Sequence, residues 1–107
     1  MNQPAPVVVV ATLVPRQGSE EQVEQAVLAA VGATHAQDRG CELYAAHRGK
    51  REFVVIEKWE SAELLNAHVS GEVFTALATR LDGLLDKPLE ATVLRPLPAG
   101  DTKLGQL

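Results

Sequence analysis

One cysteine, one methionine, one tryptophan and one tyrosine are all that 107 residues supply of these types, and no basic run occurs anywhere. Each shortage excludes something. A lone Cys41 cannot close an internal disulfide or join a cysteine-pair metal site, and a free thiol suits a reducing cytoplasm. A net charge of −4 and a pI of about 5.3, without any cationic cluster, exclude nucleic acid as a main partner, because phosphate binding needs a concentrated positive field. The apolar run Val7–Val14 is too short to cross a bilayer, so no membrane partner is expected. It also lacks the preceding positive charge of a signal peptide, and Pro15 and Arg16 follow it directly. The histidines His35, His47 and His68 have no ligand spacing, so no metal is expected. There is no glycine-rich phosphate loop, no serine nucleophile elbow, and no flavin or nicotinamide fingerprint.

What remains is 46% hydrophobic and free of repeats, which suits one domain over residues 1–107, its core at about 6–97, with a short polar tail. The four valines from Val7 to Val10 favour extended backbone through their β-branching, and a buried first strand is expected there. "PRQGSEEQ" then turns into a helix, with Ser19 as N-cap and Glu20 and Glu21 complementing the helix dipole. Val23, Ala26, Val27, Ala30, Val31 and Thr34 recur at helical spacing, and Gly40 ends the segment. "CELYAAHR" reads as a strand with Cys41, Leu43 and Ala45 on one face and Glu42, Tyr44 and Ala46 on the other. Gly49 and Lys50 close a hairpin into a third strand, Arg51–Trp59. Phe53, Val55, Glu57 and Trp59 share one face of that strand; Val54, Ile56 and Lys58 share the other.

Ser61 is placed to cap a second helix, with Leu64, Leu65, His68 and Val69 on one side. Gly71 interrupts it before Val73, Phe74, Leu77 and Leu81 resume the stripe. Pro88 blocks continuation, "LEATVLRPL" reads as a fourth strand, and the polar tail "PAGDTKLGQL" is free to move or to embrace a partner. The order βαββαβ is the ferredoxin-like α+β arrangement, with helices on one face of an antiparallel sheet. Both faces of the third strand are largely apolar, so the uncovered face calls for a second copy stacked sheet on sheet, a homodimer.

Within this pattern a few residues carry chemistry. His68 stands where leucine or valine is expected; it is either a satisfied core histidine or, with its near-neutral titration, the best acid–base group in the chain. Glu57 alternates with apolar residues on the inward face, where a carboxylate needs partners. Either it ties the strand to Tyr44 or His68 by a hydrogen bond, or it orients His68 as a base. Trp59 is a packing anchor or a wall that stacks on a planar ligand. Tyr44 can bury its ring, satisfying its hydroxyl on Glu57, or donate to a ligand oxygen. Thr12 points inward if its strand alternates in register with Val8 and Val10. Asn66, His35 and His47 are expected on the exposed side, and Cys41 as a buried small hydrophobe.

The stretch "GCELYAAHRGKREFVVIEKWESAELLNAHVSGEVF" resembles the antibiotic-biosynthesis monooxygenase family, small dimeric α+β barrel proteins that include quinol and anthrone monooxygenases. Gly40-Cys41 with Tyr44, then Phe53, Glu57 and Trp59, then Ser61, His68 and Phe74 carry the likeness. It implies a cofactor-free monooxygenase that oxidises a small electron-rich aromatic with molecular oxygen. His68, Glu57 and Tyr44 would then be catalytic, and Trp59, Phe53, Phe74 and Thr12 would contact the substrate. Val73 replaces a second histidine that family members often carry, which argues against two-histidine chemistry. Ala78 stands where the haem-degrading branch has a histidine, which argues against haem degradation. A non-catalytic dimeric binding or housekeeping domain, and an isomerase of a small carbonyl metabolite working through Glu57 and His68, are the alternatives.

Overall fold

The computed structural model describes residues 5–107; residues 1–4, the start of the expected domain range, lie outside the described residues. Strand β1 (Val7–Leu13) leads to helix α1 (Glu20–Gln37), then to strands β2 (Cys41–Arg48) and β3 (Phe53–Trp59). Helices α2 (Ala62–Val69) and α3 (Glu72–Leu81) and strand β4 (Glu90–Leu94) complete the chain's regular structure. All strand pairings are antiparallel, in the order β2-β3-β1-β4. This is the ferredoxin-like α+β fold.

Alternation along the two central strands sets the layers. Val9, Ala11 and Leu13 of β1 and Phe53, Val55, Glu57 and Trp59 of β3 are buried under the helices. Val8, Val10, Thr12, Val54, Ile56 and Lys58 face the other way and are half-buried. Helix α1 closes the inner layer with Val23, Ala26, Val27, Ala30 and Thr34, the expected stripe apart from a half-buried Val31. α2 and α3 are separate helices because Gly71 takes an extended conformation and becomes the N-cap of the second.

Local details differ from the sequence pattern. Ser19 occupies the N-cap of α1 but makes no side-chain cap bond; the Glu20 carboxylate instead accepts from the Gly18 N–H at 2.9 Å. A bulge between Cys41 and Leu43 sets Cys41 opposite Trp59, so it leaves the face of Leu43 and Ala45, and its side chain is half-buried rather than buried. β3 starts at Phe53, not Arg51, because the Gly49 N–H bonds the Glu52 carbonyl at 2.7 Å and spends those residues on the turn. β4 ends at Leu94, and all five of its residues are exposed. The tail beyond it returns to the outer face, where the Lys58 ammonium donates to the Leu107 carbonyl at 2.9 Å.

Gly40 joins the two halves of the inner layer. Its φ is +80°, and a Cβ there would collide with the Leu64 side chain of α2. Its carbonyl also accepts from the Glu60 N–H at 2.8 Å. Gly18 has a similar φ of +92° but open space around it. Gly18→Ala should therefore cost only backbone strain, about 1–2 kcal/mol. Gly40→Ala should cost that plus overpacking, roughly a further 1–3 kcal/mol. Urea unfolding of both variants measures the difference; equal losses would mean that the Leu64 contact gives way freely.

Candidate active site

His68 lies in the last turn of α2, three residues after Leu65, so both side chains point into the layer between helices and sheet. Ser61 fixes the start of that helix by accepting from the Leu64 N–H. The imidazole is only 3% exposed, and its Nδ1 lies 2.6 Å from Asp38 Oδ2. A carboxylate only accepts, so Nδ1 carries the hydrogen, and the lone pair of the neutral ring sits on Nε2. Asp38 is the residue that ends α1, held by its own N–H on the Thr34 carbonyl at 3.0 Å. The neighbouring docking of Gly40 onto Leu64 and Glu60 places the loop against α2, within reach of the histidine.

Aromatic rings surround the imidazole. Trp59 lies along it, with centroids 4.6 Å apart and planes inclined by 32°. Tyr44 and Phe74 meet it edge-on at 5.5 and 5.8 Å. Trp59 Nε1 in turn donates to Glu57 Oε1 at 2.9 Å. Glu57, 5% exposed, takes neither of its expected partners: it bonds the indole, while His68 bonds Asp38. Burial pushes the Glu57 carboxyl above its ordinary range, against the opposing pull of the Trp59 N–H and of His68. Burial likewise pushes the Tyr44 phenol well up, helped by nearby Glu57. The Thr34 hydroxyl sits beside that phenol, fully buried and without a well-aligned hydrogen bond.

A cavity of about 210 Å³ opens in front of this group. Tyr44, Glu57, His68 and Asn66 are its polar lining; aliphatic side chains from β1, β3, β4 and all three helices, with Phe74, supply the rest. Asn66, expected on the exposed side, is exposed and stands at the rim. Exposed Val69 and Val93 also edge it.

Three of the expected substrate contacts lie elsewhere. Trp59 is completely buried behind His68 and does not line the cavity. Phe53 sits at the far end of β3 beneath the Arg48 guanidinium, 5.3 Å from its ring centroid. Thr12 does share parity with Val8 and Val10, but theirs is the outer face, so it points away. The residue that the sequence did not mark is Asp38, thirty positions from its partner. His35, exposed as expected, donates from Nε2 to the Tyr44 carbonyl at 2.9 Å. Among the described residues no three His, Cys, Asp or Glu side chains gather as a metal site. No helix among them is long and apolar enough to cross a membrane.

Residues 6–80 match the model of a family described as antibiotic biosynthesis monooxygenase. Among solved structures, Rv0793 from Mycobacterium tuberculosis is similar with a TM-score of 0.82 and 26% identity, over 91% of this chain and 100% of that one. PA3566 from Pseudomonas aeruginosa gives 0.80 and 25%, over 91% and 99%. A proposed antibiotic biosynthesis monooxygenase from Caulobacter crescentus CB15 gives 0.81 at 22% identity, over 88% and 92%, which speaks for the fold alone. No curated protein matches the chain by sequence.

The buried Glu57 carries a stability signature. Its native state binds the proton more tightly than the unfolded chain does, so its contribution is fully present below the ordinary value of 4.5 and is lost as pH rises through the raised folded value. Glu57→Gln keeps an oxygen for the Trp59 N–H and has nothing to ionise. The variant should lose less stability than the parent between mildly acidic and neutral pH, measured by urea midpoints across that range. Parallel curves for the two proteins would show that Glu57 is ionised without penalty.

Proposed function

The chain belongs to the antibiotic biosynthesis monooxygenase family, and on that premise we propose that it oxidises a small electron-rich aromatic of the quinol or anthrone type with molecular oxygen and no bound cofactor. The observation that carries this reading is the Asp38–His68 pair, whose free Nε2 belongs to a residue lining a largely apolar cavity. Nε2 takes the acidic proton of the substrate, and Asp38 stabilises the resulting imidazolium. The substrate anion then supplies the electrons itself. One oxygen atom enters the ring as a carbonyl oxygen, and the other leaves as water with two hydrogens from the substrate. The Tyr44 phenol, kept protonated by burial, is a donor for developing negative charge. Trp59 acts from behind, holding the imidazole in plane.

Size narrows the substrate. An apolar cavity of about 150 Å³ takes up benzene, so 210 Å³ suits one ring or two fused rings better than the three of an anthrone. With dihydroxynaphthalene, a chelator, and no flavin or nicotinamide, oxygen uptake should fall about 10²–10⁴-fold in His68→Ala. Asp38→Asn should fall in the same direction, since an amide N–H facing Nδ1 favours the wrong tautomer. Uptake by His68→Ala at the parent rate would make His68 a packing residue. Saturable ligand binding without oxygen uptake would identify a binding module instead.

The half-buried outer face, with Val8, Val10, Leu43, Val54 and Ile56, calls for cover, and family members are typically dimeric. We place the second copy there, in a reducing cytoplasm that keeps Cys41 free. Sedimentation equilibrium at micromolar concentration should give twice the chain mass, and Ile56→Asp, in the middle of that face, should give the monomer. A monomeric parent chain would refute the stacked-sheet assembly.

A further inference from the structure

One row of side chains, drawn straight across the sheet, floors the cavity. Tyr44 of β2 pairs with Glu57 of β3, Glu57 with Val9 of β1, and Val9 with Val93 of β4. All four line the cavity. The polar members occupy the β2 and β3 end, and β4 stands two strand spacings beyond β3, about 10 Å further on. Val93 has the inward parity of Val9, yet it is 58% exposed where Val9 is 3% exposed. The helices therefore leave that end of the row open, and the rim is shared with Val69 of α2, itself 48% exposed. The chain's own tail returns to the outer face at Lys58, and the second copy placed on that face leaves the inner row free as well. Polar groups at the closed end and bare valines at the mouth complement an amphiphile that enters head first, because covering those valines removes apolar surface from water.

We propose that the ligand is a hydroquinone-type phenol carrying an unbranched alkyl chain, which leaves the cavity over Val9 and Val93 and past Val69. The ring lies at the polar end, with its hydroxyl groups toward Tyr44, Glu57 and His68. In a cavity of about 210 Å³ one ring leaves room for only the first carbons of a chain before the rim. The following carbons cover Val93 and Val69, which the protein itself leaves bare. Asn66 is the one polar side chain among the lining residues at the rim, so a charge on the first few chain carbons meets no ionic partner there. The inference rests on the cavity binding an electron-rich aromatic, as in the function proposed above, but not on oxygen chemistry.

Anaerobic calorimetric titration with methyl-, propyl- and pentylhydroquinone separates binding from oxidation. A fully buried methylene tightens binding about fourfold, so four of them with one side facing water should make pentyl at least about tenfold tighter than methyl. Val93→Asp and Val69→Asp alter the rim from two different elements at exposed positions, and in each the pentyl-to-methyl ratio should fall toward one. Circular dichroism confirms that both variants are folded. Equal binding of methyl and pentyl by the parent would overturn the proposal, and so would a ratio unchanged in both variants; oxygen uptake on dihydroxynaphthalene would still support the oxidase reading. The expected ratio and its loss in the variants, without oxygen uptake from any homologue, would uphold the chain site and overturn the oxidase reading. No binding of any homologue, and no oxygen uptake, would overturn both.

Discussion

The hydrogen bond between Asp38 and His68 joins the C-cap of one helix to the last turn of another, and the inner layer is arranged so that it can form. α1 must stop at Gln37, the chain must turn through Gly40 in a conformation that L side chains resist, and α2 must lie close enough for Leu64 to cover that glycine. Each requirement is local, and together they leave Asp38 in one place. An imidazole this deeply buried would be costly without a partner for Nδ1. The carboxylate supplies that partner and, in doing so, settles which nitrogen is basic. One contact therefore satisfies a buried ring and fixes the tautomer of an imidazole that lines the cavity.

The second constraint runs along β3. Strand alternation places Glu57 and Trp59 side by side on the inner face, and the indole N–H is the donor that makes a buried carboxyl tolerable. Trp59 then has two jobs at once: it stacks along the imidazole and holds one oxygen of Glu57. The carboxyl, the imidazole and the indole between them are thus one packed unit, in which moving any member disturbs the others. The orphaned Thr34 hydroxyl beside Tyr44 belongs to the same region, and it shows how much unsatisfied polarity this core carries.

Periodicity made most of the architecture legible before any coordinates. The valines of β1, the apolar stripe of α1 and the break at Gly71 each follow from local preferences, and the strand order follows from the sequence of elements. Polar exceptions within those periods, His68 and Glu57, were visible for the same reason. Asp38 was not, because its role depends on where α1 and α2 cross, and no local pattern encodes a partner thirty residues away. Parity also has a limit. It correctly grouped Thr12 with Val8 and Val10, and Phe53 and Trp59 with Glu57, yet parity cannot say which face has the helices or which inward side chain meets empty space. The bulge at Cys41 had a similar effect, since one extra residue reverses a face without changing composition.

What the sequence could not show is also what makes the site usable. A core that satisfied every rule of packing would fill the space in front of Tyr44, Glu57 and His68 with carbon. Here β4, the most exposed strand, contributes Ala91 and Val93 to the cavity wall, and α2 contributes Asn66 and Val69 at its rim. The opening therefore falls at the exposed β4 edge of the sheet, while Tyr44 and Glu57 hang from β2 and β3 on its other half and His68 from α2. Rigidity and access are divided between opposite sides of one cavity: the strands that fix the chemistry need not move for a ligand to enter. A small scaffold can host a reaction on those terms only if the ligand supplies the apolar mass that the core leaves out, which makes binding itself part of completing the fold.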